Sequence, residues 1–158
     1  MKIRSILLVA LGAALLCAVS CKKDKGFSGT SVELGLSIKW ATMNVDAASK
    51  DAIGTTMTYT EAVEYAKQSK KWSLPTAVQW AELMTSGKVN ISWVNEPKGF
   101  VAIAEDGAQV FFPAGKYLVG DLSESQVGYV DMSTSTKPTS ITWVGNTEGT
   151  YCIRLVRK

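Results

Sequence analysis

Two capping boxes set the frame into which this chain must fold. Glu61 stands at N3 of a cap at Thr58, and Gln79 stands at N3 of a cap at Thr76. In each pair the threonine hydroxyl can accept the N3 amide while the longer side chain returns to the cap amide. Apolar residues follow each cap at helical spacing: Tyr59, Ala62, Val63 and Ala66, then Ala77, Trp80, Ala81 and Met84. Lys67, Lys70 and Lys71 gather where the first helix should end, at the negative pole of its dipole. Between the helices stands Trp72-Ser73-Leu74-Pro75, with Pro75 placed to pack on Trp80 as a hydrophobic staple. Core packing, rather than ligand binding, is expected of Trp72 and Trp80, with Trp72 filling the junction between the helices.

Around the two helices the pattern changes to period two. Val32, Leu34, Leu36, Ile38 and Trp40 alternate with Glu33, Gly35, Ser37 and Lys39, which predicts one half-buried strand over 32–40. Residues 42–56 read as a loop. ISWV and GFVAIA flank NEPK as a hairpin, Asp106-Gly107 marks a second tight turn, and Pro113 breaks QVFFPAGKYLVG. QVGYVDM and SITWVGN are short strands around a polar loop. TYCIRLVRK closes the chain as a strand with Tyr151, Ile153 and Leu155 on one side and Cys152, Arg154, Val156 and Lys158 on the other. The fold class is therefore α+β.

The N-terminus is of a different kind. Lys2 and Arg4 precede an apolar run from Ile6 to Val19, shorter than the roughly 20 residues a membrane-spanning helix needs. The run ends Ala18-Val19-Ser20-Cys21, which resembles the lipobox of bacterial lipoproteins. That resemblance implies removal of residues 1–20, acylation of Cys21, and a membrane anchor rather than a span. The alternative is a plain secretory signal with an incidental cysteine. Lys22 follows Cys21 where an inner-membrane retention signal would carry Asp, which favours the outer membrane. Residues 21–31 read as a lipidated flexible tether, and residues 32–158 as one domain. Loss of Lys2 and Arg4 takes seventeen basic residues to fifteen against fourteen acidic ones, a net charge of about +1. A nucleic-acid partner then has no electrostatic motive. With Cys17 removed and Cys21 acylated, Cys152 is the one thiol left, so no internal disulfide is expected and the core must hold the fold.

Four stretches in order, VELGLSIKWATMNV, WSLPTAVQWAEL, GFVAIAEDGAQVFFPAGKY and YCIRLVRK, resemble the Fibrobacter major paralogous domain, a family of Bacteroidota lipoproteins. The resemblance spans nearly all of residues 32–158. It implies a C-type-lectin-like fold, shared with formylglycine-generating enzymes, in which the first and last strands pair and two helices pack on that sheet. Leu74-Pro75-Thr76 would be the corner between the helices. Two family features are missing: the Gly-Asp-Tyr-Phe-Ala-Trp-Gly-Glu insertion after the first strand, and a Tyr-Trp-Ser-Ser motif where this chain has VGYVDMSTS.

The chemistry points away from catalysis. The chain contains no histidine, which excludes Ser-His-Asp and Cys-His mechanisms and His-based zinc sites. Cys152 is expected to be a small buried apolar residue, and the thiol pair of the formylglycine-generating enzymes is absent. Asp121 with Glu124, and Glu105 with Asp106, read as solvated turn acids. Calcium lectins carry Glu-Pro-Asn and Trp-Asn-Asp; here Asn95-Glu96-Pro97 is in the wrong order and Trp143-Val144-Gly145-Asn146 lacks the acid, so no metal is expected. In this fold class the late loops form the ligand surface. That places Tyr129, Asp131, Trp143 and Asn146 as the candidate binding residues, with a core role the alternative for Trp143. The expected role is a non-catalytic outer-membrane lipoprotein, a surface adhesion or binding module for a glycan or protein that needs no cofactor. The rivals are a periplasm-facing assembly subunit and a divergent enzyme.

Overall fold

The computed structural model describes residues 26–145 and 149–157. In chain order the elements are β1 (Ser31–Val32), β2 (Lys39–Ala41), β3 (Thr56–Met57), α1 (Tyr59–Lys67), β4 (Trp72–Ser73) and α2 (Ala77–Thr85). They continue as β5 (Val89–Asn95), β6 (Lys98–Ala104), β7 (Gln109–Pro113), β8 (Lys116–Ser123), β9 (Gln126–Asp131), β10 (Thr142–Val144), β11 (Tyr151–Cys152) and β12 (Val156–Arg157). Three sheets result, in strand orders β1-β2-β12-β4, β10-β9-β8-β11-β3 and β5-β6-β7. Pairing is antiparallel except where β11 lies parallel to β8. The described residues thus form a mixed α+β fold with two helices and several antiparallel sheets.

Both capping boxes form. The Thr58 hydroxyl accepts the Glu61 amide while the Glu61 carboxylate accepts the Thr58 amide at 2.9 Å. Thr76 and Gln79 repeat the exchange, the Gln79 amide oxygen taking the Thr76 N–H at 2.9 Å. Each cap contributes about 1 kcal/mol, enough to define the start of a nine-residue helix.

The terminal strands pair as expected, Val156 opposite Trp40 and Arg157 opposite Lys39. The helices settle differently from the expectation that they lie on this sheet alone: α1 packs against β3, β4 and β8, and α2 against β5 and β8. They also feed different cores. Ala62 of α1 joins Ala41, Val45, Trp72, Leu118, Ile153 and Leu155, whereas Trp80, Leu83 and Met84 of α2 join Trp40, Phe112 and Tyr117. The two tryptophans that bracket the Leu-Pro-Thr corner therefore belong to separate cores, and the corner carries the chain from one to the other.

That corner is pinned to β8. The Gly120 amide donates to the Pro75 carbonyl at 2.7 Å, and the Asp121 carboxylate accepts the Ala77 amide at 2.8 Å. A β-carbon at Gly120 would come within 2.8 Å of Leu74 Cβ, so only glycine lets the corner seat here. Inside, the rings of Trp40 and Trp80 lie 4.7 Å apart, and Trp80 Nε1 donates to the Leu118 carbonyl at 3.1 Å.

Three expectations are corrected. Asp121 is not a solvated turn acid: it lies within β8, partly buried, and accepts the Ala77 amide. Residues 32–40 are not one strand: β1 and β2 pair with each other, Ser31 opposite Ala41, and Gly35 at φ +70° helps turn the chain between them. The alternation survives as burial, because Leu34, Ile38 and Trp40 point inward from the hairpin and its loop. The final strand is likewise two strands in different sheets, with Arg154 between them. It is buried with 1% of its surface exposed, donating to the Ala41 carbonyl at 2.9 Å and the Phe111 carbonyl at 2.7 Å, with its guanidinium 4.7 Å from the centre of the Phe112 ring. Main-chain acceptors and a ring face replace the water that a charge normally requires.

Candidate functional site

Of the residues singled out from the late loops, the three that are described, Tyr129, Asp131 and Trp143, do not share one face. Thr142 of β10 stands opposite Tyr129 of β9, and Trp143 stands opposite Gly128. Because side chains alternate along a strand, Tyr129 and Thr142 share one face of the five-stranded sheet and Trp143 takes the other. Packing agrees: Tyr129 borders the core of Leu118 and Ile153, and Trp143 borders the core of Trp40 and Trp80. The Trp143 ring lies close over Gly128. Trp143 therefore packs, partly buried, against the core on the opposite face and is not a partner of Tyr129. Asn146 lies outside the described residues, as does Cys21.

Tyr129 and Asp131 do belong together, two positions apart on one face, and they acquire neighbours that the sequence reading missed. Lys116 stands opposite Asp131 on β8 and places Nζ 5.0 Å from the centre of the Tyr129 ring. Tyr151 stacks on Tyr129 with ring centres 5.6 Å apart and planes 29° from parallel. Lys116 and Tyr151 come from β8 and β11, the next two strands on one side of β9, so the strand order and register reveal them. The one sequence cue was the run of aromatics and charges at alternate positions in β8, β9 and β11.

The electrostatics of the group are settled locally. Burial pushes the Asp131 carboxyl up, but the Ser133 hydroxyl and amide and the charge of Lys116 outweigh it and hold the group below its usual value. The Ser133 amide donates to Asp131 Oδ1 at 2.9 Å. Tyr151 moves upward, chiefly through burial and then through Tyr129, with Lys116 opposing. Asp131 is thus a fixed anion and Tyr151 a neutral phenol at neutral pH. Asp131 also lines a shallow hollow of about 290 Å³ with Thr136, Lys137, Ser140 and Thr142. A partly buried aromatic ring beside a fixed carboxylate, an ammonium and several hydroxyls can contact a sugar ring and hydrogen-bond a polyol.

The remaining chemistry-bearing residue is Cys152. It is buried against Tyr117 on β8, and burial raises its thiol, with Arg154 opposing only in part. A thiol held protonated in this way is a poor nucleophile. Among the described residues no three Asp, Glu or Cys side chains gather as metal ligands, and no helix is long and apolar enough to cross a membrane. Comparison with protein-family models, curated proteins and solved structures finds no match for this chain.

Proposed function

We propose that this protein is a non-catalytic, lipid-anchored outer-membrane module with a C-type-lectin-like fold, and that it recognises a glycan or a protein at the cell surface. The observation that carries the binding role is the Tyr129 face. Its ring is held by Tyr151 on one side and Lys116 above, with Asp131 fixed beside it. Such a preorganised aromatic–polar patch loses little side-chain entropy when a ligand stacks on it. Support for the lectin-like arrangement comes from the pairing of β2 with β12 and from the Leu-Pro-Thr corner between the helices. Support for the anchor is the lipobox-like Ser20-Cys21 after an apolar run.

Two measurements test the reading. Protease treatment of intact cells should remove the C-terminal epitope while a periplasmic control survives; retention of the epitope until lysis would turn the reading toward an envelope assembly subunit. The purified lipoprotein should be retained on a glycan or host-protein array, and Tyr129→Ala should abolish that retention at a temperature where the variant is still folded. Binding unaffected by Tyr129→Ala would move the site elsewhere.

A further inference from the structure

A wider groove, about 640 Å³, runs between α1 and β4, with Tyr59, Val63, Trp72 and Leu74 forming apolar walls. Its charged lining is all of one sign: Lys67, Lys70, Lys71 and Arg157. Lys67 is paired with Glu64 at 2.6 Å, but among the described residues no carboxylate pairs with Lys70, Lys71 or Arg157. The helix dipole accounts for Lys67 in the last turn of α1. It does not account for Lys70 and Lys71, which follow the C-cap Gln68, or for Arg157, which arrives from β12.

The place where the chain enters the domain gives the groove an orientation. Gly26 lies against Ser69, a β-carbon at Gly26 meeting Ser69 Cβ at 3.4 Å, and Phe27 packs edge-on to Trp72 with ring centres 4.9 Å apart. A second hollow, about 420 Å³, is lined by Gly26 and Phe27 together with Lys67, Lys70, Lys71 and Trp72. The basic rim and the chain entry are therefore one surface. The five residues from Cys21 to Gly26 span at most about 17 Å when fully extended. Acyl chains on Cys21 would thus hold this rim within about two Debye lengths of the headgroups at physiological salt. Lys22, Lys23 and Lys25 lie in that same short stretch.

We infer that the Lys70–Lys71–Arg157 rim docks the domain on anionic headgroups of the bilayer that holds its own anchor. Apolar and aromatic walls beneath a cationic rim suit the interface between headgroup and acyl chain, and a net-neutral domain gains its membrane affinity from this one face. The inference rests on acylation of Cys21. Docking would also set which surface points away from the membrane.

The test uses the full lipoprotein, purified in detergent and reconstituted in nanodiscs of phosphatidylcholine alone or of an equimolar phosphatidylcholine–phosphatidylglycerol mixture. Intact mass reports acylation, and peptide mass spectrometry after amine labelling reports the reactivity of each lysine. Lys70 and Lys71 should label several-fold more slowly on anionic discs than on neutral ones, with Lys98 on β6 unchanged. The protection should vanish near 1 M salt, where the Debye length falls to about 3 Å. Acylated protein with equal labelling on both discs would overturn the docking while leaving the anchor intact. A mass without acyl chains would overturn both. Protection by a soluble sulfated oligosaccharide on neutral discs, with none on anionic discs, would also overturn it, in favour of a soluble anionic ligand.

Discussion

The Asp121 carboxylate accepts the backbone N–H of Ala77, the first residue of α2, at 2.8 Å. Thr76 already serves the Gln79 amide, so the two side chains satisfy two of the donors that a helix start leaves open. One of them is supplied by β8 across the fold. Asp121→Ala should therefore lower stability by about 1 kcal/mol, the usual value of a lost cap. Asp121→Asn keeps an acceptor but loses the charge at the positive end of the dipole, and should cost only a few tenths to 1 kcal/mol. Urea unfolding of the three proteins checks the order. Equal stability for Asp121→Ala and the parent would mean that the contact is not maintained in solution.

Trp80 should prove to be the side chain on which α2 depends. It has no exposed surface, sits 4.7 Å from the Trp40 ring, and places its one polar atom on the Leu118 carbonyl. Trp80→Ala should cost about 3–5 kcal/mol and, in a domain of marginal stability, can prevent folding. Trp80→Phe retains most of the packing and loses the N–H, so it should fall between the parent and Trp80→Ala. Thermal melts of both variants decide the matter; an unshifted midpoint for Trp80→Phe would show that the hydrogen bond contributes nothing.

These two residues also show how much could be read in advance. Capping boxes are encoded within three residues, and both were legible along with the corner between them. Burial along 32–40 was legible too, because alternation reports which side chains are apolar. It does not report whether the backbone stays extended, and here the chain folds back so that Ser31 meets Ala41. The hydrogen-bond partners of Arg154 were not legible for a related reason. Its acceptors, the carbonyls of Ala41 and Phe111, come from β2 and β7, and no local pattern announces them. The grouping of Trp143 with Tyr129 failed on parity. A shift of one residue in strand register moves a side chain to the opposite face, and the pairing of Trp143 with Gly128 separates it from Tyr129.

Alkaline pH should unfold this protein partly through Tyr117. Its hydroxyl donates to the Pro113 carbonyl at 2.7 Å and accepts from Asn44 at 3.3 Å. Burial, only partly opposed by Arg154 and Asn44, pushes its pKa up from 10.0 to about 12. Between pH 10 and 12 the unfolded chain has released the phenolic proton and the folded chain has kept it. The unfolded state then binds fewer protons, so stability falls as pH rises, by on the order of 3 kcal/mol across that window. Below pH 10 this group contributes no pH dependence. Tyr59, Tyr65 and Tyr151 shift in the same direction and add to the decline. Tyr117→Phe should cost about 1–3 kcal/mol at neutral pH, since it strands the Pro113 carbonyl and the Asn44 amide, yet it should flatten the alkaline slope. Urea midpoints measured from pH 8 to 11.5 separate the two effects. An unchanged slope would assign the alkaline loss to other groups.

The proposed binding face makes a prediction that separates it from the tryptophan on the other side of the sheet. Tyr129→Ala removes the stacking surface but leaves Tyr151 in place, whereas Trp143→Ala empties a position that borders the Trp40 and Trp80 core. Once a ligand is found by array screening, Tyr129→Ala should weaken the affinity of the folded fraction at least tenfold, about 1.4 kcal/mol, in addition to the stability it loses by leaving the border of the Leu118 and Ile153 core. Lys116→Ala should weaken binding less, and Asp131→Asn should lose the interaction with ligand hydroxyls while keeping the turn to Ser133. Trp143→Ala should lower the melting temperature and leave the affinity of the folded fraction unchanged. Titration calorimetry with parallel melts distinguishes the two patterns. If Trp143→Ala lost affinity without losing stability, the ligand would occupy the opposite face and the Tyr129 site would be wrong.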